Sequence, residues 1–266
     1  MYSVSPILQN KERANAAIIM LYFVIGLSCV TALSSLYIAI ENRNKIDADH
    51  FLLGYVSLLN IATHLLRFCV IIATAIVFIL WMCRAYYNLD RTRMTSLDKL
   101  PGMAAGAWFI PFVNLWWPRD IVREIWNKTQ SLFHRNDVPR PEFVRDDFIS
   151  QWWTYLVIME FLTLLANWFF RTRDFDKSAF VAMLSSIASI IAAFLAIKII
   201  RRVKKMEEEM LERAVAFYNW RTQLDGAKFR GEDLTWYYWH DPYIVRVQNP
   251  EDGNAAAKDE DAEIHK

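Results

Sequence analysis

The sequence predicts an all-α fold: a polytopic membrane bundle of four transmembrane helices, with a re-entrant or interfacial Trp-Pro segment and cytoplasmic helices. Three observations predict it. Hydrophobic residues make up 55% of the 266 positions, which is high for a soluble globule. They are gathered into four runs that reach the roughly 20 residues a helix needs to cross a bilayer. Lys and Arg are distributed unevenly between the segments that join these runs.

The first elements are a cytoplasmic N-terminal arm at residues 1–13 and a span at residues 14–40. This apolar run is longer than the core of a signal peptide, which is about 7–15 residues. We therefore expect it to be retained as an anchor. With the arm inside the cell, Lys11 and Arg13 satisfy the positive-inside rule.

The second span is predicted at residues 58–83 and carries Asn60, His64 and Arg67 on one helical face. Ionisable side chains are costly inside a bilayer and mostly face the interior of a bundle. We therefore expect this polar face to point toward the other spans.

A shorter apolar stretch at residues 101–118 is interrupted by Pro111 and Asn114. If it crossed the membrane, the positive charges of residues 119–145 and 198–205 would have to be translocated, which the positive-inside rule disfavours. We therefore predict a re-entrant or interfacial segment on the cytoplasmic face. Its tryptophan rings suit that depth, because an indole can be half buried while its N–H stays hydrated.

Residues 119–133 have apolar side chains at helical spacing with charged residues between them, which predicts an amphipathic helix. Two arrangements remain open for it. The helix lies on the inner leaflet with its apolar face in the lipid, or it packs that face on the chain's own cytoplasmic tail.

The third span, predicted at residues 152–170, places Glu160, Thr163 and Asn167 on one face. We expect this stripe to face the bundle interior, opposite the polar face of the second span. The resulting intramembrane polar cluster either fixes the register of the helices or forms part of a proton, ion or substrate path.

A direct pair within that cluster remains an open question. Helix rise separates Arg67 from Glu160 by about 13 Å in depth, near the combined reach of the two side chains. Arg84 competes for the same carboxylate from the cytoplasmic side.

The fourth span is predicted at residues 178–200 and carries small residues spaced by four, which let helices approach closely. We favour packing within the chain over contact between subunits, although a homo-oligomer remains open. The small residues form two series: Ser185, Ser189 and Ala193, and Ala188, Ala192 and Ala196.

Beyond the fourth span, residues 201–248 are predicted to form a cytoplasmic helix and then an aromatic patch at residues 236–240. Pairs four residues apart, such as Lys204 with Glu208, support the helix. Residues 249–266 are acidic and rich in alanine, and we expect them to be disordered.

Two motifs in this sequence resemble those of a known family. The first is Trp81-Met82-Cys83-Arg84-Ala85-Tyr86-Tyr87-Asn88, and the second is Gly102, then residues 107–118, then Ile121, Glu124, Ile125 and Trp126. They are similar to the signatures of bacterial membrane proteins grouped as domain-of-unknown-function family 4328, and the resemblance covers roughly residues 58–205. It implies a multi-pass bacterial membrane protein and brings no known activity.

A second group of candidate residues gathers at the predicted cytoplasmic interface. Its Arg and Trp side chains could recognise anionic lipid head groups. The favoured alternative is structural, with Arg84 paired to Glu124 and Asn114 capping the helix that starts near Pro118. This interfacial motif consists of Arg84, Asn88, Trp108, Pro111, Asn114, Pro118, Glu124 and Trp126.

The sequence contains no hydrolase triad, metal-binding helix pair, phosphate loop or dinucleotide fingerprint, so we predict neither an enzyme nor a cofactor. His64 as a lone histidine within a span supports haem binding only weakly. A net charge of +1 argues against binding nucleic acid.

We predict a cell-membrane protein with both termini in the cytoplasm, acting as a non-enzymatic scaffold or accessory subunit. Its partners would be membrane lipids and a protein that engages the cytoplasmic tail. The alternative is a small oligomeric transporter or channel that uses the Glu160 stripe.

Overall fold

The computed structural model describes residues 8–44, 50–92, 96–134 and 143–225; within these, the side chains of 41–44, 50–53, 92 and 213–225 are left undescribed. The predicted aromatic patch and acidic tail lie outside this part of the chain. The described helices are α1 (Lys11–Asn44), α2 (His50–Thr92), α3 (Met103–Gly106), α4 (Trp117–Phe133), α5 (Asp147–Arg171) and α6 (Phe175–Asp225), with a 3-10 turn at Val113–Leu115.

The prediction of an all-α bundle with four helices able to span a membrane is confirmed. These are α1, α2, α5 and α6, each with a long apolar window that holds few charged residues. The helices continue past the apolar runs: α6 has 51 residues, which at helical rise is about 75 Å, more than twice the thickness of a hydrocarbon core. The predicted charged helix after the fourth span is therefore the continuous end of α6.

The long helices run up and down, and α6 lies at the centre of the bundle. It packs along α1 on one side and along α5 on the other, while α2 packs along α1. The residues before α1 and the charged part of α6 both contact Asn88 near the end of α2. The described start of the chain and the region around Glu207 therefore lie at the same end of the bundle, which also holds α4 and is called the α4 end below.

Small residues make the central position of α6 possible. Both predicted series are buried, so the expectation of packing within the chain is confirmed. Ser189 meets Ser28 of α1 at 3.2 Å between hydroxyl oxygens, and Ser185 meets Thr163 of α5 at 2.8 Å. Because this face is already covered by α1 and α5, it is not a free surface for a second copy of the chain.

The amphipathic helix is α4, and it packs its apolar face on the protein. Contacts with α6, α2 and α5 cover that face, which leaves it unavailable to lipid. Of the two arrangements left open, packing on the chain is therefore the one observed. The fully buried apolar side chains of α4 are Ile121, Val122, Ile125 and Trp126.

Residues 101–118, here called the Pro-Trp segment, contain no helix that could cross a bilayer. One turn of α-helix, α3, is followed by the 3-10 turn and then by the start of α4 at Trp117. Between these turns the Val113 N–H donates to the carbonyl of Pro111 at 2.8 Å, and Phe112 has φ 65° and ψ −45°. This is a classic γ-turn, a rare and strained conformation for a residue other than glycine.

Candidate functional site

The first part of the interfacial motif is built around Glu124, whose side chain is buried among polar partners at the α4 end. Its carboxylate accepts hydrogen bonds from the Tyr86 hydroxyl at 2.8 Å and from the Asp98 N–H at 2.7 Å, and it pairs with Lys128 one turn along α4. Lys128 also bonds the Asp98 carboxylate at 3.0 Å and the Ser96 carbonyl. Glu124 and Lys128 thus fix residues 96–98 onto α4.

The surroundings of Lys128 stabilise its protonated, positively charged form. Burial by itself lowers the pKa of the ammonium group, but hydrogen bonds to Glu124 and Asp98, with the charges of both carboxylates, raise the pKa above its ordinary value. These partners therefore stabilise the charged form of Lys128.

Two predictions for this region are wrong. Glu124 pairs with Lys128 and not with Arg84, because Tyr86, on the same helix as Arg84, lies nearer the carboxylate and fills the site. Asn114 does not cap α4, since it sits inside the 3-10 turn with its N–H bonded to the Ile110 carbonyl. The residue before α4 is Trp116, which makes no side-chain cap.

The start of α4 is stabilised by Pro118, and not by a cap from Asn114. Pro118 stands in the first turn of α4, where its missing N–H is no loss and its fixed φ suits a helix. At the other end of this region the Trp126 indole N–H donates to the Val144 carbonyl at 3.1 Å and its ring meets Phe148 edge-on. Trp126 thereby joins α4 to the start of α5.

Asn88 is the centre of a second buried network at the α4 end. Its amide exchanges two hydrogen bonds of 3.0 Å with the backbone of Leu8, so it holds the residues before α1 as a strand partner would. The same amide donates to Glu207 of α6 at 2.9 Å, and Asn10 donates to the other Glu207 oxygen at 3.1 Å. Glu207 is only 7% exposed and is held by these two neutral amides.

Aromatic rings connect α2, α5 and the Pro-Trp segment at this end. The Phe78 ring lies 5.3–6.1 Å from those of Trp81, Trp108 and Trp152, distances typical of favourable ring pairs. Trp153 adds an indole N–H bond of 2.8 Å to the Leu115 carbonyl. This aromatic cluster thereby joins α2 to α5, two helices that have little direct backbone contact.

The intramembrane polar cluster is brought together only in part. Arg67 is buried and donates to the Ser186 hydroxyl of α6 at 3.1 Å. Asn60 is half-buried and donates to Ser34 and Ser35 of α1. These two residues tie α2 to its neighbours, as expected for a face that points into the bundle.

The expectation that the stripe of α5 faces the interior is wrong. Glu160, Thr163 and Asn167 are exposed on the protein, and so is His64 of α2. The reason is that α5 packs along a single long neighbour, α6, through the face that carries Met159 and Ala166. Of the stripe, Thr163 alone reaches α6, by its bond to Ser185.

No direct pair forms between Arg67 and Glu160. Arg67 is directed at Ser186 and stays within electrostatic range of Glu160 without a salt bridge to it. The described residues also include no group of three His, Cys, Asp or Glu side chains placed to hold a metal ion.

The two sequence motifs therefore meet in space, with Tyr86 of the first bonded to Glu124 of the second. A model of a protein family described as a domain of unknown function, DUF4328, matches residues 47–208. The chain belongs to the DUF4328 family. No curated protein and no solved structure matches the chain.

The DUF4328 region contains most of both networks, but Leu8 and Asn10 lie before it. Sequence reasoning missed Glu207 and Asn10. The sequence did contain a pattern that points to Glu207, which follows Ile200 and Val203 at helical spacing and so lies on the same face of α6. A carboxylate on a buried face needs hydrogen-bond partners. Asn10 carried no comparable signal, because its partners are distant in sequence.

Replacing Glu124 with alanine is expected to loosen the backbone at Asp98, because the Asp98 N–H loses its acceptor and Lys128 loses one of its three acceptors. Amide hydrogen exchange at Asp98 should speed up by roughly tenfold, the factor that corresponds to losing about 1.4 kcal/mol of local protection. Asp120→Ala is the matched control, since Asp120 lies on the same helix and, among the described residues, its carboxylate pairs with its neighbour Arg119 alone. Equal exchange rates at Asp98 in the two variants would contradict this role of Glu124.

Proposed function

We propose that this DUF4328 protein is a non-enzymatic membrane scaffold or accessory subunit whose Pro-Trp segment contacts a protein partner or lipid at the cytoplasmic face. The observation that carries the proposal is Phe112. Its side chain is 77% exposed and lies on the strained γ-turn. Pro111 begins this turn, and the hydrogen bond from Trp153 to the Leu115 carbonyl follows it. Strained, exposed backbone of this kind clusters at binding sites.

The surroundings of Phe112 support a contact surface. Large apolar side chains on the same segment are also exposed, and the Trp108 ring packs against the rings of Phe78 and Trp153. Contiguous exposed apolar surface marks sites of protein or membrane contact. The exposed apolar residues beside Phe112 are Phe109, Ile110, Leu115 and Trp116.

The placement of the α4 end in the cytoplasm rests on the positive-inside rule. The α4 end carries the dense basic run of α6, whereas the opposite end carries the few basic residues of the α5–α6 connection. The run consists of Lys198, Arg201, Arg202, Lys204 and Lys205, and the connection holds Arg171, Arg173 and Lys177.

The transporter or channel alternative has less support. The Glu160 side chain is exposed on the protein although it lies within electrostatic range of Arg67, so a path that uses it would have to be closed by another chain. The small-residue face is already occupied within the chain and offers no such closure.

Photo-crosslinking tests the proposal. A benzoyl-phenylalanine placed at Phe109 in intact cells is expected to give a discrete protein adduct or an enriched lipid adduct, and the same probe at exposed Phe161 of α5 is not. Adding Phe112→Gly should reduce the Phe109 adduct roughly fivefold while leaving the protein folded, since glycine adopts positive φ without strain. Equal adducts at both positions, unaffected by Phe112→Gly, would show that the segment is ordinary lipid-facing surface.

A further inference from the structure

A cleft of about 380 Å³ opens between α1 and α6 where the apolar run of α6 ends. One residue of α1, Tyr22, forms its wall, and the remainder comes from a single face of α6 with spacings of three and four. The lining residues of α6 are Phe194, Ile197, Lys198, Arg201, Arg202 and Lys205. The cleft shares no residue with the Pro-Trp segment.

The lining changes character along α6. Phe194 and Ile197 form the apolar part, on the side of the spanning window, and four basic side chains follow over the next two turns. From Phe194 to Lys205 the helix rises about 16 Å, so apolar and cationic surface lie within the length of one amphiphile. A ligand that fits both must combine hydrocarbon with an anionic group.

The positive charge of the cleft is largely uncompensated. Among the described residues Lys205 alone of the four has an acidic partner, Glu209 at 3.6 Å. Lys198 lies over the Phe148 ring at 4.7 Å, and the Arg202 Nε is buried without a hydrogen-bond partner. Concentrated charge beside a low-dielectric surface attracts an anion strongly.

Tyr22 orients one of the two guanidinium groups. Arg201 donates to the Tyr22 hydroxyl at 2.6 Å and lies over the ring at 5.9 Å, which leaves its remaining N–H groups for a ligand. Arginine binds phosphate oxygens in a two-pronged geometry, and lysine adds a point charge. The cleft therefore offers directed donors as well as charge.

We propose that this cleft binds an anionic phospholipid, with the phosphate held by Arg201, Arg202 and the flanking lysines and an acyl chain along Phe194 and Ile197. Phosphatidylglycerol and other anionic lipids with a glycerol-phosphate core have this chemistry. The site goes beyond the proposed function, because it uses α1 and α6 and would exist whatever the Pro-Trp segment contacts.

Native mass spectrometry of the full-length protein tests the site. Dioleoyl-phosphatidylglycerol should remain bound more abundantly than dioleoyl-phosphatidylcholine, which has the same acyl chains and no net charge. The double variant Arg201→Gln, Arg202→Gln should reduce bound phosphatidylglycerol by roughly fivefold for each charge removed. The matched control is Arg171→Gln, Arg173→Gln, which removes two exposed charges at the opposite end and should change nothing.

Two further measurements keep the outcome decisive. If the arginine double variant unfolds, Lys198→Gln with Lys205→Gln replaces it, since both side chains are exposed. Adding inorganic phosphate should not displace phosphatidylglycerol, because the acyl chain contributes to binding. Equal retention of the two lipids, equal loss in cleft and control variants, or displacement by phosphate alone would each overturn the proposal.

Discussion

Replacing Trp152 with alanine is expected to lower the free energy of unfolding by about 3–5 kcal/mol, the range observed when a buried tryptophan is truncated. Trp152 is 3% exposed, and its ring lies 5.6 Å from Phe78 and 5.7 Å from Trp153. It therefore stands where side chains of α2 and α5 meet. The loss combines the cavity left behind with the weakened connection between the two helices.

The same helix supplies the control for this experiment. Trp168 of α5 is 57% exposed, so Trp168→Ala should change the free energy of unfolding by no more than about 0.5 kcal/mol. Denaturant titration in mixed micelles, followed by circular dichroism, measures both variants. Similar losses for the two tryptophans would mean that the aromatic cluster does not hold the bundle together.

Glu207→Ala should cost about 3 kcal/mol, because the side-chain amides of Asn10 and Asn88 each lose a buried acceptor and a small cavity remains. Glu207→Gln is a finer test. A carboxamide can accept from one of the two amides, but its own NH₂ group meets the other, so we expect a loss of about 1–3 kcal/mol.

Glu209→Ala provides the comparison for Glu207. Glu209 lies two residues further along α6 and pairs with Lys205 at the surface, so its removal should cost less than about 1 kcal/mol. Thermal unfolding in the same detergent ranks the three variants. If Glu207→Ala proved as mild as Glu209→Ala, the buried network would not contribute to stability.

The sequence predicted the helices well because their causes are local. Length, apolar content and the spacing of small residues define the four long helices and the interface of α6, and helical periodicity defines α4. The motifs that carry the family resemblance also contain Trp108 and Trp126, and both of these rings join neighbouring elements in the structure.

Orientation and long-range partners could not be predicted in the same way. The stripe of Glu160 was expected to face inward because ionisable side chains are costly in lipid. Among the described helices, however, α5 has a single long neighbour and therefore one buried face. The bond partners of Glu207 stand 119 and 197 residues away along the chain, so no local pattern joins them. The pairing of Glu124 with Lys128 is local, but Tyr86 had to be placed by the fold before Arg84 could be excluded.

The central position of α6 has a consequence for biogenesis. A ribosome makes α6 after α1, α2 and α5, yet α6 is the helix along which α1 and α5 both pack. During synthesis α1 and α2 can pack together early. Until α6 is inserted, α5 has no long helix to pack against, and the amides of Asn10 and Asn88 lack their acceptor, Glu207. Nascent chains that stall before α6 emerges therefore expose an orphan helix, the kind of intermediate that membrane insertases shelter and quality-control proteases remove.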